Sequence, residues 1–302
     1  MHRLQRQTTS HAMQTTTCNN LIHCPNEMIV LQRLFVYIYR FSLRGTLNPM
    51  IKDEKIGQNI VLLGNGPSVN DAIIDLLTTN SVYAVVNFFA LSKYYQRLKP
   101  RYYILSDGAF CCELSFNTMI ADLIEHINET TKWKMSLYIP YRSIKGSNIA
   151  KMFTNPLIEV HFYNDIPYEG KYVIPALRDY LYRKGLANID IWNVIQAGIM
   201  LLILLGYKTI HLYGVENSEP NSLKVNEKNQ AGYIHELFYD KSQSNMELIL
   251  NEDGSPMKVC QILFRYYKTF QGFMDVNHFA KKQNCRVINH TTASLIDAFE
   301  RV

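Results

Sequence analysis

Short apolar runs alternate with amphipathic segments along most of this chain, and this alternation constrains its fold more than any other feature. The runs NIVLL at 59–63, SVYAVV at 81–86, RYYIL at 101–105 and TIHLY at 209–213 each predict a buried strand. The segments between them have the apolar spacing of helices. Alternating strands and helices predict an α/β fold, in which helices cover both faces of a mostly parallel sheet.

The other elements are predicted from the same pattern. Helices are expected at 69–79, 90–98, 116–130, 190–205, 273–283 and 294–300, and strands at 133–139, 158–163 and 286–288. Gly206 follows the most apolar helix and suits its end, because glycine readily takes the left-handed conformation found there. The polar stretch 219–230 has little periodicity, so we expect it to form part of a mobile lid at about 217–245.

The first part of the chain differs in composition from the rest. Residues 1–26 contain no Asp or Glu and are rich in Thr, Gln, Asn and Ser, which is typical of a disordered leader. Residues 27–46 predict a basic amphipathic helix, in which Arg33, Arg40 and Arg44 lie within about 40° of one another. Two interpretations are open for this helix: contact with an anionic membrane, or docking on the domain or a second subunit.

Composition excludes several classes of protein. The chain has 302 residues, 47% hydrophobic and 19% charged, which is ordinary for a globular protein. A formal net charge of +5 is too small to indicate a nucleic-acid partner. No stretch reaches the roughly 18–20 apolar residues of a membrane span. Six cysteines without a CxxC or zinc pattern predict free thiols in a reducing cytosol.

The turn Gly64–Ser68 follows the first predicted strand and is the first candidate for ligand binding. Its two glycines let the backbone approach a ligand closely, and Ser68 can cap the next helix, whose N-terminus favours anions. The turn therefore predicts phosphate binding, although an ordinary strand-to-helix turn has the same composition. Asn87 and Asp107 follow the next two strands, and polar residues at adjacent strand ends converge on one ligand.

A histidine beside the predicted lid is the candidate for proton transfer. His235 lies among aromatic residues, between Tyr233 and Tyr239. Histidine titrates near neutral pH and can take a proton from a sugar hydroxyl. A structural histidine is the alternative interpretation.

Three motifs resemble the bacterial sialyltransferases of glycosyltransferase family 42 and the related motility accessory factor and MptE-like proteins. They are GNGPS at 64–68, LGYKTIHLYG at 205–214 and VINHTTASLIDAF at 287–299. The resemblance implies a Rossmann-like catalytic domain over 59–302 of the GT-A-variant type, with a small lid. It also implies inverting transfer of sialic acid from a CMP-activated donor to a surface glycan, with no metal or other cofactor.

The resemblance further implies roles for individual residues. Those that would face the donor are Gly64, Asn65, Gly66, Pro67, Ser68, Asn87, Asp107, Asn193, Gly214, Val215 and Glu216. His235 would be the general base, and Tyr233 and Tyr239 would hold the departing phosphate.

The chain departs from the family pattern at three of these positions. Asp107 stands where the family has Asn, Glu216 where it has Asp, and Asn193 near a Ser/Thr pair that contacts the donor carboxylate. The expected donors therefore include Kdo and other nonulosonates besides sialic acid. Related transferases often assemble, so a homo-oligomer is also expected.

Two other functions are compatible with the same motifs. An MptE-like 6-hydroxymethylpterin pyrophosphokinase shares the glycine turn and would need ATP and metal-binding carboxylates, for which Asp107 and Glu216 are available. A non-catalytic nucleotide-binding protein, with the N-terminal helix as its interface, is the third interpretation.

Overall fold

The computed structural model describes residues 58–111, 118–141, 149–170, 173–234, 246–251 and 253–302. The predicted leader and basic helix over 1–46 lie outside these ranges, as do His235 and Tyr239.

The strands form two sheets. Strands β1 to β11 are Asn59–Leu63, Tyr83–Val86, Tyr102–Ile104, Met135–Pro140, Ile158–Tyr163, Thr209–Tyr213, Leu223–Val225, Ala231–Ile234, Met246–Leu248, Arg286–Asn289 and Glu300–Arg301. In the described residues, the larger sheet has the order β11-β10-β6-β1-β2-β3-β4-β5, and all of its neighbouring strands are parallel. The strand order reverses between β1 and β6, and such sheets bind ligands at that point, beyond the carboxyl ends of the strands.

Helices cover both faces of the larger sheet. Helices α1 to α6 are Val69–Thr78, Tyr95–Leu98, Thr118–Thr130, Pro175–Arg183, Val194–Leu205 and Val259–Lys282. Ile60 and Leu62 of β1 pack in one core with α5 and α6, whereas Val61 and Leu63 pack in a second core with α1 and α3. Burial on both faces explains why β1 is apolar throughout. The predicted fold class, a Rossmann-like parallel sheet between two helical layers, is confirmed.

Several predicted boundaries are wrong. Helix α6 begins at Val259 rather than 273, and α4 is a helix that the periodicity did not predict. The predicted helix 90–98 is a 3-10 turn at Asn87–Leu91 followed by the short α2, because Ser92 between them is extended. The predicted helix 294–300 is a turn followed by β11.

The described part of the predicted lid is more ordered than its composition indicates. Strands β7, β8 and β9 form an antiparallel sheet. Asn226 shapes the turn between β7 and β8, since its Oδ1 accepts hydrogen bonds from the amides of Lys228 and Gln230, both at 3.0 Å. Ala231 packs with Met257 in a small separate core. The stretch 219–230 therefore contains β7 and the turn to β8, and its role as a lid stays a prediction.

No helix in the described ranges has both the length and the apolar character required to span a bilayer.

Candidate functional site

The site lies where the loops after β1 and β6 meet. The Gly64 amide donates to the carbonyl oxygen of Tyr213 and the Gly66 amide to that of Gly214, both at 2.9 Å. A Cβ atom on Gly64 would lie 2.2 Å from the Gly214 oxygen, and Gly214 has a φ of 68°. The two loops therefore need glycine at these positions in order to pack backbone against backbone.

Glu216 fills the glycine turn with its carboxylate. Its Oε1 accepts a hydrogen bond from the Ser68 amide at 2.7 Å, at the N-terminus of α1. A Cβ atom on Gly66 would lie 1.5 Å from Glu216 Oε2. The carboxylate is thus the anion that the helix N-terminus and the turn favour.

The predicted side-chain cap by Ser68 is wrong. Ser68 already has helical backbone angles, φ −64° and ψ −13°, and its side chain makes no capping hydrogen bond. A capping side chain needs an extended backbone to reach the next turn. Instead, the carboxylate of Glu216, which follows the neighbouring strand β6, caps α1 by accepting a hydrogen bond from the Ser68 amide.

Two oxygen atoms at this junction are buried without a partner. Among the described residues, Ser68 Oγ and Glu216 Oε2 have no hydrogen-bond partner. A buried carboxylate oxygen without a donor is unfavourable, so a hydrogen-bond donor that reached Oε2 would stabilise this junction. A phosphate at the Ser68 amide would instead meet the negative charge of Glu216.

The C-terminal segment holds the backbone of Glu216 in place. The Val215 amide donates to Thr291 Oγ1 at 3.1 Å, Ser294 Oγ donates to the Val215 carbonyl at 2.7 Å, and the Leu295 amide donates to the Glu216 carbonyl at 2.8 Å. The motif VINHTTASLIDAF therefore contributes hydrogen bonds that position the site.

Asn87 joins the ends of β2 and β3. It has a φ of 43°, which asparagine tolerates better than most residues, and its Oδ1 accepts from the Ser106 amide at 3.1 Å. Asn65 Nδ2 donates to the Val86 carbonyl at 3.4 Å, so the ends of β1 and β2 are also joined. Asp107 is exposed beyond them.

Asn193 reaches the same loop cluster from α5. Its Oδ1 caps α5 by accepting from the Ile195 amide at 2.8 Å, and its Nδ2 donates to Asn217 Oδ1 at 3.2 Å. Asn217 directly follows Glu216. The structure thus brings Asn193 close to the loop after β6, and its contact with a donor stays a prediction. Pro67 is exposed at the rim of the glycine turn.

Of the proposed catalytic group, Tyr233 alone is described. Its hydroxyl forms a hydrogen bond with the hydroxyl of Tyr266 on α6, and burial raises the pKa of Tyr266 above its ordinary value. The sequence-based prediction missed Tyr266, because it lies on the part of α6 that was not recognised as helical. The roles of His235 and Tyr239 stay predictions.

A pair of histidines beside the site was also missed. His211 Nδ1 and His290 Nε2 share a hydrogen bond of 2.8 Å, and the His290 ring stacks on Tyr213 with centroids 4.6 Å apart. Burial lowers the pKa of both histidines. The sequence does indicate this cluster, since His211 and Tyr213 are two residues apart in β6 and their side chains lie on the same face of the sheet.

The fold defines an α/β protein with a mostly parallel sheet, and the candidate site lies at its strand-order reversal. No protein-family model, curated protein or solved structure matches the chain. Within the described ranges, no group of three or more His, Cys, Asp or Glu side chains is arranged to hold a metal ion.

Proposed function

We propose that this chain is an inverting glycosyltransferase that takes an acidic sugar, sialic acid or a related nonulosonate or Kdo, from a CMP-activated donor. The acceptor is a glycan of the bacterial surface. The observation that carries the proposal is the glycine turn Gly64–Ser68 at the strand-order reversal. The Glu216 carboxylate, in the loop after the neighbouring strand β6, packs into this turn. Such a crevice is the common place for a nucleotide in a parallel sheet.

The arrangement of Glu216 supports a nucleoside in the turn. Its Oε2 is buried and unpaired among the described residues, and we propose that it accepts a hydrogen bond from a ribose hydroxyl when nucleotide binding moves the carboxylate. The donor phosphate, which the same carboxylate repels, extends away from the turn. The hydroxyls of Tyr233 and Tyr239 are the proposed donors of hydrogen bonds to this phosphate.

The proposed chemistry is a single displacement. The acceptor hydroxyl attacks the anomeric carbon while the bond from that carbon to the phosphate oxygen breaks, and CMP leaves with the bonding electrons. His235 takes the proton of the attacking hydroxyl. We further propose that the enzyme works in the cytosol at the inner face of the membrane, with peripheral contact through residues 27–45.

Thermal denaturation with CMP, CDP, UDP, GDP and ATP tests the donor class. CMP should raise the melting temperature, because a ligand at one hundred times its Kd stabilises the folded state by about 2.7 kcal/mol. Glu216→Ala should reduce the shift, whereas the matched control Glu219→Ala, an exposed residue, should keep it. Stabilisation by UDP or ATP without stabilisation by CMP would contradict the proposal.

Chelation separates the transferase from the pyrophosphokinase. Transfer from the CMP-sugar should continue in EDTA, whereas an ATP-dependent pterin kinase would stop. His235→Ala should abolish transfer while the CMP-induced thermal shift persists. Unchanged transfer by that variant would rule out His235 as the base.

A further inference from the structure

A groove of about 350 Å³ lies beside the first turns of α6, outside the site described above. Its volume is in the range of pockets that bind small ligands. Its lining includes Trp192, Asn251, Gln261, Phe264 and Arg265.

Two aromatic rings form a corner of this groove. The ring centroids of Trp192 and Phe264 are 6.5 Å apart, and the ring planes meet at 87°. These side chains are 40% and 55% exposed, which is unusual for residues of this size. A sugar ring has an apolar face of C–H groups, and an exposed aromatic ring offers the flat surface on which such a face packs.

Polar groups beside the rings can bind sugar hydroxyls. Gln261 Oε1 accepts from the Lys258 amide at 2.7 Å, which leaves its Nε2 as a donor. Asn251 Nδ2 donates to Ser255 Oγ at 3.0 Å, which leaves Asn251 Oδ1 as an acceptor. Arg265 forms no ion pair with a described carboxylate. The described lining contains this cation and no carboxylate.

The groove is joined to the candidate site through the start of α5. Trp192 precedes Asn193, whose side chain contacts Asn217 of the loop that carries Glu216. The Trp192 amide donates to Gln196 Oε1 at 2.9 Å. Gln196 is fully buried and donates to the Thr269 carbonyl of α6 at 2.7 Å. Buried hydrogen bonds therefore hold the Trp192 backbone rigidly next to the site.

We infer that this groove is a saccharide subsite, which binds a sugar unit of the acceptor glycan by stacking on Trp192 and Phe264. Arg265, Gln261 and Asn251 bind its hydroxyls. Arg265, which has no ion-pair partner among the described residues, favours units that bear an acidic group. This inference rests on the proposed glycosyl transfer, since it names the acceptor side of that reaction. Three polar side chains beside two aromatic rings match a sugar unit, which carries hydroxyl groups around an apolar face.

Tryptophan fluorescence reports directly on this groove. The chain has two tryptophans, and Trp133 lies elsewhere, with its Nε1 donating to the Pro100 carbonyl at 2.8 Å. A Trp133→Phe variant therefore leaves Trp192 as the sole tryptophan, and excitation at a wavelength that tyrosine does not absorb reports on Trp192 alone. Titration with maltotriose, chitotriose and trigalacturonate should give a saturable change, tightest for trigalacturonate.

Variants in the Trp133→Phe background test the contacts. Phe264→Ala should weaken saccharide binding about tenfold, as expected for the loss of one aromatic contact. Arg265→Gln should remove the preference for trigalacturonate. The matched controls are Tyr180→Ala, an aromatic residue 47% exposed on α4, and Arg183→Gln, an exposed cation of the same helix; both should bind as the parent does.

The unmodified protein provides an independent measurement. Cys260 is exposed and lines the groove, so bound saccharide should slow its alkylation by iodoacetamide, measured by peptide mass spectrometry. No saccharide effect on fluorescence or alkylation would overturn the inference. So would a fluorescence change that follows dimerisation in sedimentation, or one produced by anionic vesicles alone.

Nucleotide binding distinguishes a failure of this inference from a failure of the proposed function. If CMP stabilises the protein and no saccharide binds, the subsite is wrong and the proposed donor class is retained. If saccharides bind in the groove and no cytidine nucleotide stabilises the protein, the proposed transfer fails, and with it the assignment of the groove to an acceptor.

Discussion

At the scale of single residues, the glycine turn and the carboxylate of Glu216 form one unit. The turn lacks a side chain at Gly66, and Glu216 Oε2 occupies that space. The same carboxylate caps α1 through the Ser68 amide. A turn with the composition of a phosphate site is thus filled by a carboxylate of the protein, and the same side chain caps the helix.

Gly66→Ala tests this dependence. The new methyl group should displace the Glu216 carboxylate and remove the cap, which lowers the free energy of unfolding by about 1–2 kcal/mol. Urea denaturation measures the change. Gly108→Ala is the matched control, since a Cβ atom there has no neighbour within 4 Å, and it should be nearly neutral.

A double-mutant cycle shows whether the two residues act together. Glu216→Ala removes the side chain with which Ala at position 66 would collide, so the double variant should be less destabilised than the sum of the single variants. Additive effects would mean that the carboxylate does not fill the turn in solution.

The amide of Asn193 acts on a whole element, because it caps α5 and ties it to the loop after β6. Asn193→Ala should lower the free energy of unfolding by about 1 kcal/mol through loss of the cap, measured by chemical denaturation. Asn221→Ala, at an exposed position, should be close to neutral. Equal effects of the two substitutions would contradict the capping role.

Elements were predictable from sequence where local pattern and tertiary packing agree. Strand β1 was predicted within its observed bounds because burial on both faces requires continuous apolar residues. Strand β6 was also predicted within its observed bounds, although only Ile210 and Leu212, on one of its faces, are buried. The first half of α6 was not predicted, since Leu263, Phe264 and Tyr267 are apolar and exposed, which obscures the amphipathic period. One of these exposed residues, Phe264, lines the proposed saccharide groove.

In the segment after β10, a helix was predicted that the structure does not form. Its sequence favours a helix at 294–300, yet Ser294 and Leu295 donate their hydrogen bonds to the loop after β6. Such long-range bonds have no local signature, and they override helix propensity. For the same reason the sequence predicted the residues of the glycine turn but not that Glu216 would occupy it.

Across the whole molecule, the parallel sheet brings distant polar residues together at its carboxyl edge. Gly64 and Tyr213 meet because β1 and β6 are neighbours in the sheet, although they are far apart in the chain. The choice of Gly64, Asn87 and Glu216 as candidates followed from the general rule that parallel strands end at one edge. Which side chain bonds to which depends on strand order and packing, which the sequence does not display.

The pH dependence of stability is also a property of the whole fold, because two half-buried sites have opposite effects on it. Burial lowers the pKa of His211, and Arg286 lowers it further; burial and His211 lower that of His290. The unfolded chain therefore binds these protons more readily, so stability should be full above pH 6.5 and fall as the pH drops below it. Burial, and then Asp275, raises the pKa of Glu169 to about 6.

Glu169 works in the opposite direction, since its raised pKa makes the folded state the better proton acceptor between about pH 6 and its ordinary value of 4.5. Urea denaturation from pH 8 to 4.5 should show a decline that begins near pH 6.5 and flattens below 6. His290→Phe, which retains a ring beside Tyr213, should weaken the initial decline, and Glu169→Gln should remove the flattening. A decline unchanged in His290→Phe would show that the histidine pair is not its source.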